Sequence, residues 1–379
     1  YGLGSKEFNT GMVKAVFDNL LSSHPKNHFT IGIEDDISHT SLDFDPDFTL
    51  EDQHAFRGLF YGLGADGTVS ANKNSIKIMG DQTGDFVQGY FVYDSKKSGS
   101  LTVSHLRAGK NPIKSTYLIR SANFVACHHF NYLRKYDVLR FAEPGALFLL
   151  NAPYGPDEVW DQLPHKIQEE IIEKQQQYYS INANAVARET GMGSRINTIL
   201  QTCFFAISNV MPKDAAIAEI KQAIHDTYIK KGAQVVEKNY IAVDQALAHL
   251  FKIDYSNKLP GSLEGDALIS GNAPDFVQKV LSKIMAGDGD DLPVSAFPVD
   301  GRYPSGTTQY EKRNIAEQVP VWDADICSQC GKCFMICPHA AIRPKVYEKE
   351  MLAEAPLTFK HTAPIGKEFN KEAEAYTLQ

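Results

Sequence analysis

The sequence is short of cysteine, with six among 379 residues, and none follows Cys337. That scarcity excludes a disulfide scaffold and suits a reducing, cytoplasmic setting. Positive charge is also in deficit: 38 Lys and Arg stand against 46 Asp and Glu, a formal net charge of −8. A general nucleic-acid binder is usually basic, so that class is excluded. No apolar run approaches the roughly 18 residues of a membrane span, and "GALFLL" (Gly145–Leu150) is a buried strand at most. There is no internal repeat and no low-complexity tract. What remains is 43% hydrophobic and 22% charged, ordinary globular composition, at a length that suits two or three domains.

Four of the six cysteines crowd into "DICSQCGKCFMICPHAAIR" (Asp325–Arg343), at C-x2-C-x2-C-x3-C-P spacing. Iron–sulfur clusters take soft thiolates, and two-residue gaps let one tight loop aim three sulfurs at one cube. A structural zinc site would instead use two C-x2-C pairs set well apart, so the spacing favours a cluster. In two-cluster ferredoxins the fourth cysteine of such a run belongs to the other cluster. Cys327, Cys330 and Cys333 then hold one cluster and Cys337 one corner of a second. Two clusters need eight ligands, which this chain cannot supply. Either Cys337 closes a single cluster, or a partner run lies beyond Gln379. The start on Tyr1, without methionine, fits an internal piece of a longer polypeptide.

Upstream, "NTGMVKAVFDNLL" reads as a helix with Val13, Val16, Phe17, Leu20 and Leu21 on one face, and "HFTIGIEDD" (His28–Asp36) as a strand. From about residue 50 to 255 strands alternate with helices. "FRGLFYG", "FVQGYFVYD", "STYLI", "FVACH" and "GALFLLNAP" are the strand candidates. "PKDAAIAEIKQAIHDTYIKKG", opening on Pro212 and closing on Gly232, is the best-marked helix. That alternation predicts an α/β fold, a Rossmann-like parallel sheet covered on both faces. Between about 255 and 320 the composition shifts to linker type, rich in Gly, Pro, Asp and Ser, with one short amphipathic helix, "PDFVQKVLSKIM".

Within the α/β part, Gly62, Gly64 and Gly67 of "YGLGADGTVSANK" make a G-x-G-x-x-G after a strand. Such a loop offers backbone N–H groups to phosphate oxygens; a tight turn without ligand explains it equally well. The next long strand ends "YDSKKSG". Asp94 is late for a NAD ribose contact, whereas Ser95, Lys96 and Lys97 suit a ribose that carries a phosphate, as in CoA or NADP. "GMGSRINT" (Gly191–Thr198) is a second Gly/Ser loop opening a helix. "ACHH" (Ala126–His129) reads as a buried, inert Cys127 rather than a nucleophile.

Taken together these pieces resemble the pyruvate:ferredoxin (flavodoxin) oxidoreductase family. The likeness runs through "GLGSKEFNTGMVKAVFDNL", "YGLGADGTVSANKNSIKIMGD", "QGYFVYDSKKSGSLTVSHLR", "GSRINTILQTCFF", "LPVSAFPVDGRYPSGTTQYEKR" and the cysteine run. The resemblance implies four parts. Residues 1–45 are the tail of a preceding domain and 46–255 a CoA-binding domain. Residues 256–320 form a linking domain containing "EKR" (Glu311–Arg313), and 321–379 part of a ferredoxin-like α+β iron–sulfur domain. It also implies CoA contacts at Gly64, Ala65, Asp66, Gly67, Thr68, Lys97, Asn197 and Asn239, with Ser95 and Lys96 beside them. [4Fe-4S] clusters on Cys327, Cys330, Cys333 and Cys337 follow from the same likeness. So do thiamine diphosphate and Mg2+ on domains absent from this chain, ferredoxin or flavodoxin as electron acceptor, and a homodimer. The implied reaction is oxidative decarboxylation of pyruvate to acetyl-CoA and CO2, which this part alone does not complete. Two other readings stand beside it: an NADP-linked Rossmann dehydrogenase fused to a ferredoxin, and a non-catalytic electron-transfer module.

Overall fold

Arg57–Gly62 are buried without interruption, as a strand covered on both faces requires. The computed structural model describes residues 7–64, 66–93, 100–269, 271–311, 319–338 and 340–378. In chain order they form α1 (Thr10–Leu21), β1 (Phe56–Leu63), α2 (Thr68–Thr83), β2 (Phe86–Tyr93), β3 (Leu101–Gly109) and β4 (Ala122–Cys127). There follow β5 (Ala142–Asn151), α3 (His165–Glu173), β6 (Gln177–Ile181), α4 (Ala183–Glu189), α5 (Asn197–Ser208), α6 (Lys213–Tyr228), α7 (Ala233–Ala248) and β7 (Phe251–Lys252). The rest contributes α8 (Ser282–Ala286), α9 (Lys332–Ile336), β8 (Pro344–Glu348) and β9 (Glu374–Leu378).

Seven strands make one sheet in the order β2-β3-β1-β4-β5-β6-β7. Its centre is parallel: β1 pairs with β4, β4 with β5 and β5 with β6. The margins are antiparallel, β1 with β3, β3 with β2, and β6 with β7. The α/β reading is correct, but the sheet is mixed rather than purely parallel. The reason is local: too few residues separate Tyr93 from Leu101 for the crossover that a parallel pair needs, so β2 and β3 pair antiparallel.

Alternation along β1 divides the core. Phe60 faces α2 and α4–α7, beside Met79, Phe124, Leu149, Phe204 and Val243. Leu59 and Tyr61 face the other way, onto Phe148, Trp160, Ile167 and Ile171. The helix expected after Pro212 is α6, whose last turn tightens to a 3-10 turn at Ile229–Lys231 before Gly232 at φ 113°. The helix expected over Pro274–Met285 is present as a π-turn (Val277–Leu281) running into α8.

Two expectations fail. "STYLI" is not a strand: Leu118 N–H donates to Glu7 Oε1 (2.5 Å) and Ile119 N–H to His105 Nδ1 (3.1 Å), side-chain acceptors in place of a ladder. "HFTIGIEDD" makes only isolated bridges, Ile31 to Leu42 and Glu34 to Pro293. The expected helix α1 forms, capped by Asn9 accepting from Met12 N–H (3.0 Å). Val13, Phe17, Leu20 and Leu21 are exposed, and Gly11 and Met12 pack inward instead.

The chain divides into two compact units between residues 315 and 316. In the second, β8 and β9 pair antiparallel and Trp322 meets Tyr376 edge-on at 5.9 Å. Among the described residues no helix is long and apolar enough to cross a membrane.

Candidate functional site

The glycine-rich loop leaves the carboxyl end of β1 and enters α2, where open α/β sheets hold their ligands. Asp66 braces it from within. Its Oδ2 accepts from Leu63 N–H (2.9 Å) and from the Thr68 hydroxyl (2.8 Å), and its Oδ1 from Thr68 N–H (2.7 Å). Gly64 N–H donates to Ser100 O (2.6 Å). The amide of Asn197, first residue of α5, donates to Asp66 O (2.6 Å) and so joins the second Gly/Ser loop to the first.

Two glycines are required by this closeness. Gly67 sits at φ +89°, and a Cβ there would lie 2.2 Å from Asn197 Nδ2. A Cβ on Gly62 would lie 2.7 Å from the Thr68 side chain. Asn239, almost wholly buried in α7, spends its amide N–H on Val235 O (2.7 Å). The side-chain oxygens of Asn197 and Asn239 are buried without a hydrogen-bond partner among the described residues, two acceptors that suit an incoming donor. Gly64, Asp66, Gly67, Thr68 and Asn197 are thus one constellation. Asn239 stands on a separate helix, with no hydrogen bond to the loop among the described residues. Ala65, Ser95, Lys96 and Lys97 lie outside the described residues, as do Asp94 and the Lys312-Arg313 pair of "EKR".

Sequence reading missed His128. It ends the stretch after β4, the parallel neighbour of β1, and its Nδ1 lies 3.0 Å from Thr68 Oγ1. Only the strand order brings the two together across 60 positions; "ACHH" gave the signal without the address. Cys127 beside it is inert as expected: fully buried, its thiol pushed up to about 12 by burial, and donating to His129 O (3.2 Å).

In the second unit Gln329 (φ 51°) and Gly331 (φ 75°) turn the backbone between the cysteines, and α9 carries Cys333. Gln329 pins the turn, donating to Ala363 O (2.8 Å) and accepting from Ile365 N–H (2.9 Å). Cys330 and Cys333 are exposed, Cys327 and Cys337 half-buried. The Lys332 N–H and the Ser328 hydroxyl hold the Cys330 thiol below its ordinary pKa, toward the thiolate a metal takes. Burial, and then the charges of Cys327, Cys333 and Cys330, raise the Tyr376 hydroxyl, so these three thiols share one neighbourhood. Among the described residues no three His, Cys, Asp or Glu side chains close on a single point as metal ligands do. An all-thiol donor set on a turned loop fits an iron–sulfur cluster and not a hard cation.

Residues 57–249 match the family described as pyruvate ferredoxin/flavodoxin oxidoreductase. Residues 264–316 match a domain of unknown function called EKR, and 319–342 a 4Fe-4S binding domain. The whole chain is 55% identical to a pyruvate-flavodoxin oxidoreductase of Nostoc and 56% identical to a putative one of Synechocystis. Over 98% of its length it is 42% identical to a pyruvate dehydrogenase [NADP(+)] of Cryptosporidium parvum. It spans 32%, 32% and 21% of those proteins respectively. Among solved structures, the pyruvate oxidoreductase subunit PORC of Thermotoga maritima aligns with 52% of this chain and 97% of its own, at 14% identity and a TM-score of 0.42.

Proposed function

The chain belongs to the pyruvate ferredoxin/flavodoxin oxidoreductase family, and on that premise we propose that it is the CoA-holding and electron-conducting portion of an enzyme that decarboxylates pyruvate oxidatively to acetyl-CoA. One observation carries the reading. Three matched families stand in a fixed order along a chain that is 55% identical, end to end, to a pyruvate-flavodoxin oxidoreductase.

The parts take these roles. Residues 46–255 hold CoA, 256–320 link, 321–379 begin a ferredoxin-like domain, and 1–45 close a preceding domain. The backbone of Gly64–Gly67 faces the phosphates with Thr68 bracing the turn behind it, Asn197 and Asn239 offer amide oxygens, and Ser95, Lys96 and Lys97 read the 3′-phosphate of CoA. A lysine gives a phosphate a compact point charge, which suits recognition by presence rather than by shape. Cys327, Cys330 and Cys333 hold one [4Fe-4S] cluster and Cys337 a ligand position of a second. When bound, such clusters take electrons one at a time and deliver them to ferredoxin or flavodoxin. Thiamine diphosphate and Mg2+ belong to parts of the longer relatives outside this chain. The complete enzyme is a cytoplasmic homodimer.

Calorimetric titration with CoA, dephospho-CoA and NADP tests the CoA assignment. The proposal expects CoA to bind, dephospho-CoA to bind more weakly, and Lys96→Ala/Lys97→Ala to abolish that difference. NADP binding without CoA binding would move the dehydrogenase reading ahead.

A further inference from the structure

Asp66, Thr68 and His128 form a hydrogen-bonded chain from the glycine-rich loop to the carboxyl end of β4. Thr68 Oγ1 donates to Asp66 Oδ2 (2.8 Å) and lies 3.0 Å from His128 Nδ1. A hydroxyl has one proton. With that proton committed to the carboxylate, Thr68 turns lone pairs toward the ring, so Nδ1 carries the hydrogen and donates. The neutral tautomer is thereby fixed, with Nε2 bare. Burial of the ring, 6% exposed, lowers its pKa to about 4 against the opposing pull of Asp66, so it is uncharged near neutrality.

The ring cannot drift, because its backbone is tied on both sides. His128 N–H donates to Tyr61 O of β1 (2.9 Å), and His128 O accepts from Asn151 Nδ2 at the end of β5 (3.0 Å). Asn151 Oδ1 in turn accepts from Ala183 N–H, the start of α4 (3.0 Å). Three parallel strands and a helix terminus therefore converge on one imidazole. Thr68 is fully buried, so in the parent its hydroxyl is shielded from water.

We propose that His128 is a positioning residue for the ligand loop: its Nδ1–H fixes the Thr68 hydroxyl and, through Asp66, the Leu63 and Thr68 amides at the two ends of the turn. The latch rests on the bonds above; its consequence for CoA rests on the proposed function.

Two readouts separate them. Without ligand, hydrogen exchange of the Leu63 and Thr68 amides, both donors to Asp66, should quicken about ten-fold in His128→Leu, the loss of one buried hydrogen bond. His128→Asn places a side-chain amide where Nδ1–H stood and should restore slow exchange. With ligand, CoA should bind His128→Leu about ten-fold more weakly and His128→Asn within about three-fold of the parent. Thr68→Val removes that bond and the Thr68–Asp66 bond as well, so adding His128→Leu to it should bring no further penalty. If His128→Leu does not fold, His128→Met, which also lacks a donor, takes its place with the same expected exchange. Unchanged exchange in the variants, additive penalties, or an Asn variant as impaired as the Leu variant would overturn the latch. Quickened exchange in a chain whose parent does not bind CoA would support the latch and sink the CoA reading alone.

Discussion

The guanidinium of Arg107 on β3 grips the carboxylate of Glu51, 56 positions earlier, as a buried fork. Nε lies 3.1 Å from both carboxylate oxygens and Nη2 2.5 Å from Oε1. Their side chains are 3% and 5% exposed, and Arg107 also donates to Gln88 Oε1 (2.8 Å) and Tyr117 O (2.9 Å). One side chain thus ties the approach to β1, the strand β2 and the segment around Tyr117 to β3. Glu51→Leu leaves a buried unpaired cation and should cost about 3–5 kcal/mol, measured as a shift in the urea midpoint. The double variant Glu51→Leu/Arg107→Met should recover part of that loss. A single variant within 1 kcal/mol of the parent, on the scale of an exposed pair, would contradict the assignment.

His105, beside that pair, sets a pH dependence. Burial, then the charge of Arg107, lowers its pKa from 6.5 to about 4. Its folded value lies below its unfolded one, so the neutral ring contributes stability that is complete above about pH 6.5 and drains away as pH falls toward 4. The full swing is at most about 3 kcal/mol. His105→Asn keeps an acceptor for Ile119 N–H without the titration. It should flatten the stability curve in that window, and equal slopes for variant and parent would refute the claim.

Gly67 and Gly84 share a left-handed backbone but not a neighbourhood. A Cβ at Gly84 (φ +67°) meets nothing within 4 Å, whereas one at Gly67 strikes Asn197 Nδ2 at 2.2 Å. Gly84→Ala should therefore cost only the backbone term, about 1–2 kcal/mol, and leave CoA affinity intact. Gly67→Ala should cost more in thermal stability and lose the ligand, because it breaks the bond between Asn197 and Asp66 O. Equal effects on affinity would separate the loop from the ligand.

How much of this was legible follows the range of the interactions involved. The glycine loop, the cysteine spacing and the Pro212 helix are written in neighbouring residues, and all three stand where the sequence put them. β3 escaped notice because its centre is polar: Ser104, His105 and Arg107 are buried there, and their partners Glu51 and Ile119 are distant in sequence. "STYLI" misled for the complementary reason, since Ile119 is buried like a strand residue while its N–H is taken by His105. The helix α1 stands as its pattern reads, yet Val13, Phe17, Leu20 and Leu21 are exposed, because periodicity says which residues share a face and not what lies against it. The four-residue fit of Asp66, Thr68, Asn197 and His128 depends on strand order, which no local signal encodes.

The cysteines should separate by reactivity. Burial drives the Cys127 and Cys203 thiols up, while Cys330 is exposed and held low. With iron removed, maleimide at pH 7 should label Cys330 first and reach Cys127 and Cys203 only after denaturation, as read by peptide mass. Reconstituted alone, the chain should hold fewer than the roughly four irons of a complete cluster, since the 3+1 division leaves each cluster short of ligands. Stoichiometric, stable [4Fe-4S] signal from this chain would mean that Cys337 closes a single cluster.

The most direct measurement replaces the matching third of the Nostoc pyruvate-flavodoxin oxidoreductase with this chain and follows flavodoxin reduction by pyruvate and CoA. The account predicts turnover within about ten-fold of the parent, 1.4 kcal/mol in barrier, and its loss in Cys330→Ser. A chimera that folds and carries its full iron, yet reduces no flavodoxin with pyruvate and CoA, would contradict it.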